Sequence, residues 1–513
     1  MGVLSKLFAI AAAVAPCVAR DGLKNVVYFM EWSIYARNFH IFDLDWSRIT
    51  HVNYAFGKPN ADGTVQLYDT WSATDKRYID HGDSWNDLGN NVYGQFGHAN
   101  KMKKMHRHAK FGLSIGGWTL SGLFSGFAAT EMGRRTFASS AVQLMLDLGL
   151  DFIDIDWEYP VEGGNAIPHS PDDMANFVLL LQAIRDAYAS LPFLAELSVA
   201  SPAGPENYAH WDFPSVCGLV DHVNLMAYDL AGSWSAYTDY QNNLFADPQH
   251  PSGKQYSIDR AVQDYISGGC PSEKIVMGIP LYGRSFENSH GLYTPFTAPT
   301  TGSWVSGSDG AGVWDYKILP RPGATELYDE KLGAGYSYDA NSRVFTSYET
   351  PRSLAAKLEY IDKYALGGTM FWAGDADAPL ASGRSLIAQA HDFFGRDKLA
   401  LYDNNVAYPT SKYANIRNSS SSGTETPAVA AVATRAPSVL ATSAPPAATD
   451  TPEEDATEAP ATDAPTQTVA PHRPSSEACA GYRNTCFWPL TKLPLAYTKS
   501  DCDKFKGTFV WCP

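Results

Sequence analysis

Eight short apolar runs recur along the first four hundred residues: NVVYFM, THVNYAF, KFGLSIGG, DFIDIDWE, AELSVA, HVNLMAYD, KIVMGIPLYG and GGTMFWAG. Stretches such as TEMGRRTFASSAVQLMLDLG, PDDMANFVLLLQAIRDAYASL, SIDRAVQDYISGG and TPRSLAAKLEYIDKYALG lie between them, with apolar residues every three or four positions. A strand needs a short apolar run and an amphipathic helix a 3.6-residue period, so the alternation reads as β then α, repeated. Eight such units over this length predict an α/β fold, a (β/α)8 TIM barrel over residues 20–400. One spacing departs from the rhythm. After the seventh run, residues 288–347 are rich in Gly, Tyr and Trp and show no long helical pattern. A structureless loop of that length is improbable in a compact domain, so a small α+β insertion is expected there, on the catalytic face of the barrel.

The chain's two ends read differently from the barrel. Residues 1–19 place Lys6 before an apolar stretch that ends in small residues, the pattern of a secretory signal peptide. That apolar run is shorter than the roughly 20 residues needed to cross a bilayer, and no later segment approaches this length, so no membrane association is expected. Residues 418–476 are dominated by Ala, Thr, Ser and Pro and cannot bury a core; they read as an extended linker suited to O-glycosylation, with an N-glycan sequon at Asn418. Residues 477–513 carry Cys479, Cys486, Cys502 and Cys512, and in an oxidising compartment such density reads as a two-disulfide module, with a zinc site as the competing reading. The same segment holds Tyr482, Phe487, Trp488, Tyr497, Phe509 and Trp511, more aromatic area than so small a core can hide. A net charge of -16 without any basic stripe argues against nucleic acid as a partner and fits a neutral substrate.

The segment DFIDIDWEYP carries the chemistry. Side chains alternate along a strand, so Asp154, Asp156 and Glu158 share one face while Ile153, Ile155 and Trp157 share the other. The apolar face must pack against helices, which leaves the carboxyls, spaced roughly 7 Å apart, rising along the barrel interior to its C-terminal mouth. Three like charges there cannot all ionise cheaply, so proton affinity should rise near Asp156, with Asp154 and Asp156 sharing a proton. No loop of oxygen ligands follows that would suit calcium, and neither metal nor cofactor is expected.

These residues resemble the family 18 glycoside hydrolases, whose pattern D-x-x-D-x-D-x-E is met by Asp151, Asp154, Asp156 and Glu158. Agreement extends to Ser114-Ile-Gly116-Gly117-Trp118, Met226-Ala-Tyr228-Asp229, Tyr282-Gly283-Arg284 and Trp372. The resemblance spans about Asn25 to Phe394 and implies a chitinase acting on β-1,4-linked N-acetylglucosamine polymers. It implies that Glu158 protonates the scissile oxygen while the substrate's own acetamido oxygen attacks, giving an oxazolinium that water opens with retention. Asp156 and Tyr228 would fix the acetamido group, with Asp154 supporting them. Tyr28, Phe56, Trp118, Met226, Asp229, Trp234, Tyr282, Arg284 and Trp372 would line the sugar subsites, Trp372 as the floor of the central one, with Trp118, Trp234 and Trp32 the weaker cases for neighbouring subsites. For the tail the likeness is one of layout, to secreted fungal-type chitinases with a small chitin-binding module after a Ser/Thr-rich stalk. Trp488 and Trp511 would be its chitin-facing rings, with a structural or adhesion role as the alternative. The expected partners are chitin and its oligosaccharides, met by an extracellular monomer.

Other readings compete. Gly112-Leu-Ser114-Ile-Gly116 satisfies the G-x-S-x-G pattern of serine esterases, but Ser114 lies inside an apolar run rather than at a strand-to-helix turn. A chitin-binding lectin of the same fold would be expected to lack the acid at position 158, and an endo-β-N-acetylglucosaminidase would share fold and acid. His106 and His108, set among lysines, read as a solvated helix end. Cys217 and Cys270 precede the sixth and seventh strands by a few residues and so share the N-terminal rim, either bridged or as two buried thiols.

Overall fold

The computed structural model describes residues 22–418, apart from 254–255 and 306–309, together with three short strands of the tail. The chain divides into two units, residues 1–423 and 424–513.

In the first unit, eight parallel strands close into a barrel: Lys24–Met30, His51–Pro59, Lys110–Gly116, Phe152–Asp156, Glu196–Pro202, His222–Met226, Ile275–Pro280 and Gly368–Trp372. Each pairs with its successor in sequence, and the eighth pairs with the first, Lys24 opposite Gly368 and Val27 opposite Phe371. The predicted helices form at Glu131–Leu148, Asp173–Tyr188, Ile258–Ser267 and Pro351–Lys363. Thr130, Ser257 and Thr350 cap three of these through their hydroxyls, satisfying first-turn N–H groups that no carbonyl reaches. Three further helices, Gly94–Met105, Phe213–Leu219 and Leu386–Phe394, add to the outer ring.

The strand alternation divides the core in two. Outward residues such as Val27, Phe29, Ile153, Ile155 and Trp157 pack beneath the helices, with the Trp157 ring stacked on Phe124 at 5.1 Å. Inward residues Val26, Tyr28, Met30, Val276 and Met370 fill the barrel beside the polar groups of the fourth strand.

The seventh strand does not end in a helix. After Leu281 the chain enters a five-stranded antiparallel sheet, Tyr282–Phe286 pairing with Val313–Asp315 on one side and Val344–Ser347 on the other, which continues to Ala334–Asp339 and Thr325–Asp329. The insertion expected over 288–347 therefore begins earlier, at Tyr282, and its helical content among the described residues is the single turn Tyr316–Ile318. Its own core gathers Phe286, Leu332, Ala334 and Phe345 with Tyr240.

Cys217 and Cys270 are bridged, their Cα atoms 5.4 Å apart on the N-terminal rim, which resolves the alternative left open by spacing. In the second unit Thr485–Trp488 lies between Leu493–Leu495 and Val510–Cys512 in an antiparallel sheet. The expected signal segment, the linker beyond Asn418, the cysteine pairing of the tail and the roles of Trp488 and Trp511 lie outside the described residues and side chains. No helix among the described residues is long and apolar enough to cross a membrane.

Candidate active site

At the C-terminal mouth of the barrel opens a cleft of about 930 Å³. All nine side chains that the sequence assigns to sugar subsites line it, as do Asp156, Glu158, Tyr228 and the weaker candidate Trp32. Trp32, Trp118 and Trp234 are 43%, 48% and 60% exposed, which sets them apart from core aromatics such as Trp157 at 1%. Trp372 lies edge-on to Tyr28 at 5.3 Å and stacked near Phe56 at 5.7 Å. Aromatic faces at such spacing accept the C–H faces of pyranose rings.

Asp154 lies beneath the cleft rather than in it, wholly buried. Four neighbours donate to it: Tyr28 Oη at 2.6 Å and Ser114 Oγ at 2.7 Å to Oδ2, Ser198 Oγ at 2.5 Å and Asn224 Nδ2 at 3.2 Å to Oδ1. The donors come from four different strands, and the in-register pairing of Ser114, Asp154 and Ser198 brings two of them to the same height. Asp156, one step higher, has its Oδ1 buried without a partner among the described residues. Burial pushes the Asp156 carboxyl well above its ordinary range, and the neighbouring charges of Glu158 and Asp154 push it further. Each Asp154 oxygen is engaged by two of these donors, and none of the described contacts joins Asp154 to Asp156.

Glu158 stands at the mouth, two residues beyond the last paired position of its strand. Burial pushes its carboxyl up to about 7; contact with the Tyr159 side chain and the Trp118 main chain restrains the rise, and the Asp229 charge adds to it. Its main chain is fixed from the side: Glu158 N–H donates to Ser121 Oγ at 3.0 Å, and the single Ser121 hydroxyl hydrogen has Gly117 O at 2.9 Å and Asp156 O at 3.1 Å as its acceptors in reach. The two glycines of Ser-Ile-Gly-Gly-Trp make this packing possible. Both have positive φ, and a Cβ on Gly116 would stand 2.1 Å from Asp156 O, one on Gly117 2.7 Å from the Phe56 ring.

Opposite Glu158, Asp229 is fully engaged. Arg284 grips it through Nε at 2.6 Å and Nη2 at 2.7 Å, and the Tyr282 hydroxyl donates to it at 2.7 Å. The Arg284 guanidinium in turn lies 4.6 Å from the Trp234 ring centre. Burial holds the Tyr228 hydroxyl well above its ordinary range, and the charges of Asp156, Asp229, Glu158 and Asp154 hold it there, so it remains a neutral donor facing the cleft.

The first aspartate of the motif is elsewhere. Asp151 lies at the opposite end of the strand, paired with Lys103 Nζ at 2.8 Å and accepting from Phe111 N and Asn405 N, each at 2.8 Å. Ser114 is buried inside the third strand with its hydroxyl turned to Asp154, which leaves no nucleophile elbow for an esterase. Lining residues not anticipated are Thr119, Tyr159, Gly163, Gly164, Asn165, Ala200 and Asn207. Tyr159 was signalled by its place after Glu158, whereas most of the others sit on loops whose sequence carries no periodicity.

Residues 24–377 match the Glycosyl hydrolases family 18. Chitinase 1 of Aphanocladium album is 44% identical over 405 residues, covering 77% of this chain and 91% of its own. Endochitinase 1 of Metarhizium robertsii is 43% identical over 402 residues, 77% of this chain and 90% of its own. Among solved structures, the catalytic domain of psychrophilic chitinase B from Arthrobacter TAD20 superposes with a TM-score of 0.68 at 28% identity, over 76% of this chain and all of that one.

Proposed function

The chain belongs to the glycosyl hydrolases of family 18 and is a chitinase of that family; from that premise we propose that it cuts β-1,4-linked N-acetylglucosamine polymers with the substrate's own acetamido group as nucleophile. The observation that carries the reading is an acid held protonated beside carboxyls that are either gripped or hard to ionise. Glu158 is pushed up to about 7, so at mildly acidic pH it holds the proton that the leaving oxygen needs. A two-carboxylate retaining mechanism would require a second carboxylate free to attack carbon. Asp229 is gripped by Arg284 and Tyr282, and Asp156 is the buried neighbour whose own proton affinity is raised.

The steps follow from these positions. A sugar on Trp372 places its glycosidic oxygen toward Glu158. Asp156 takes a hydrogen bond from the acetamido N–H, and the Tyr228 hydroxyl orients the acetamido oxygen toward the anomeric carbon. As that carbon–oxygen bond forms, the glycosidic bond breaks and its oxygen receives the Glu158 proton. Glu158, now a carboxylate, takes a proton from the water that opens the oxazolinium, which returns the anomeric carbon to its starting configuration and restores the acid. Holding the internal nucleophile near its target before bond breaking replaces an intermolecular encounter by an intramolecular one.

Residues 1–19 direct secretion, residues 418–476 form a stalk, and residues 477–513 bind chitin through Trp488 and Trp511. Incubation with chitin oligomers and colloidal chitin, with product lengths and anomers followed by NMR over time, tests the reading. The expected first product is the β-anomer, a fully deacetylated glucosamine polymer is inert, and a thiazoline analogue of the cyclic intermediate inhibits. Rapid cleavage of the deacetylated polymer, or a sugar trapped on any carboxylate of the chain, refutes the mechanism. Binding without cleavage would instead indicate a lectin, and release of N-glycans in preference to chitin an endo-β-N-acetylglucosaminidase.

A further inference from the structure

Three segments that carry cleft residues converge on one side chain outside the cleft. Arg37 lies on the loop after the first strand, five residues beyond Trp32. Its Nη1 reaches Asp375 Oδ2 at 2.5 Å and Asp315 Oδ1 at 3.2 Å. Asp375 lies three residues past Trp372, on the loop after the eighth strand. Asp315 belongs to the insertion, where it stands directly opposite Tyr282 while Val313 stands opposite Arg284. The junction is closed on its other sides. Trp304 Nε1 donates to Asp315 Oδ2 at 2.8 Å, the Arg37 guanidinium lies 4.8 Å from the Trp304 ring centre, and Lys317 Nζ donates to Asp375 O at 2.7 Å and lies 3.4 Å from Asp315 Oδ2. Both carboxylates are nearly out of water, 5% and 1% exposed at the side chain.

We propose that Arg37 is a positioning residue for the substrate cleft, clamping the insertion strands that bear Tyr282 and Arg284 to the loops that bear Trp32 and Trp372. The clamp fixes the separation between the insertion wall and the aromatic floor, and therefore how firmly a chain of several sugars is held; this rests on the chitinase reading above. Without Arg37, two buried carboxylates face each other with Lys317 as their remaining cation, a costly arrangement that the loops relieve by moving apart. The charged groups meeting Asp375 are Arg37 from the first loop and Asp315 and Lys317 from the insertion. Burial already raises the proton affinity of Asp375, so acid should neutralise it and let the loops close again.

The test is steady-state hydrolysis of chitin hexamer by the full chain and by Arg37→Ala, Arg37→Gln and Arg37→Lys, at pH 5 and pH 7. At pH 7 Arg37→Ala should raise KM about tenfold with kcat changed less than about threefold, and Arg37→Lys should recover most of the loss. At pH 5 the KM ratio to the wild type should shrink. An unchanged KM, or a ratio that does not vary with pH, overturns the proposal. So does failure of both Arg37→Ala and Arg37→Gln to fold, judged by thermal melting, because Arg37 would then hold the fold and not the cleft. A wild type that does not cut the hexamer refutes the chitinase reading instead, which separates the two failures.

Discussion

Replacing Glu158 by Gln should slow turnover by orders of magnitude and at the same time stabilise the protein, the latter only where the carboxyl would otherwise be charged. The folded protein raises this carboxyl from an ordinary 4.5 to about 7, so between those values the folded state binds a proton more tightly than the unfolded chain does. Stability attributable to Glu158 is therefore highest below about pH 4.5, falls as pH rises toward 7 and stays low above it. At about 1.4 kcal/mol for each tenfold change in proton affinity, the full loss is on the order of 3 kcal/mol. Glutamine keeps the shape and never ionises, so the variant escapes that loss. With unfolding entropy of about 2 cal/mol/K per residue over roughly 400 folded residues, 3 kcal/mol corresponds to a Tm rise of roughly 4 °C. Thermal melts of both proteins at pH 4 and pH 8 are the assay, with hydrolysis of a soluble oligomer alongside. The expected result is a Tm gain at pH 8, none at pH 4, and a loss of about 10²–10⁴-fold in kcat. A gain of equal size at both pH values, or a loss at pH 8, would refute the argument, since neither can come from relief of a buried charge.

Arg284→Ala frees the Asp229 charge, which already raises the proton affinity of Glu158; the alkaline limb of kcat/KM should move above its wild-type position near pH 7, measured as a pH–rate profile. Gly117→Ala puts a Cβ 2.7 Å from the Phe56 ring at a φ of +85°; a stability loss of about 1–3 kcal/mol is expected by denaturant titration, with lowered kcat/KM because Phe56 is pushed into the cleft. If the tail binds chitin as proposed, truncation after Asn418 should leave hydrolysis of short soluble oligomers unchanged and weaken turnover of insoluble chitin through lost avidity; equal loss on both substrates would show that the tail is not a separate binding module.

The strand count, the barrel and the inward face of the fourth strand were legible in the sequence because each is a local property. A run of apolar residues, a period of 3.6 and the two-residue alternation of Asp154, Asp156 and Glu158 against Ile153, Ile155 and Trp157 are written within a few residues of one another. The helix Gly94–Met105 escaped that reading because its buried face is built from Gln95, His98, Asn100 and Lys103 as much as from Phe96 and Ala99, which leaves little apolar period to find. Cleft-lining residues such as Trp118, Tyr282 and Trp372 were reachable through motif resemblance at strand ends, where loops must project into the cleft. What only the tertiary structure decided are the long-range meetings. Spacing left Cys217 and Cys270 either bridged or free, until two chain segments 53 residues apart were set with their Cα atoms 5.4 Å from each other. The four donors to Asp154 come from residues 28, 114, 198 and 224, and Arg37 meets Asp315 and Asp375 across nearly the whole domain. Local patterns say which face a side chain takes; which groups then share that space depends on the closure and register of the barrel, and with them on whether a carboxyl is charged, protonated or gripped by an arginine.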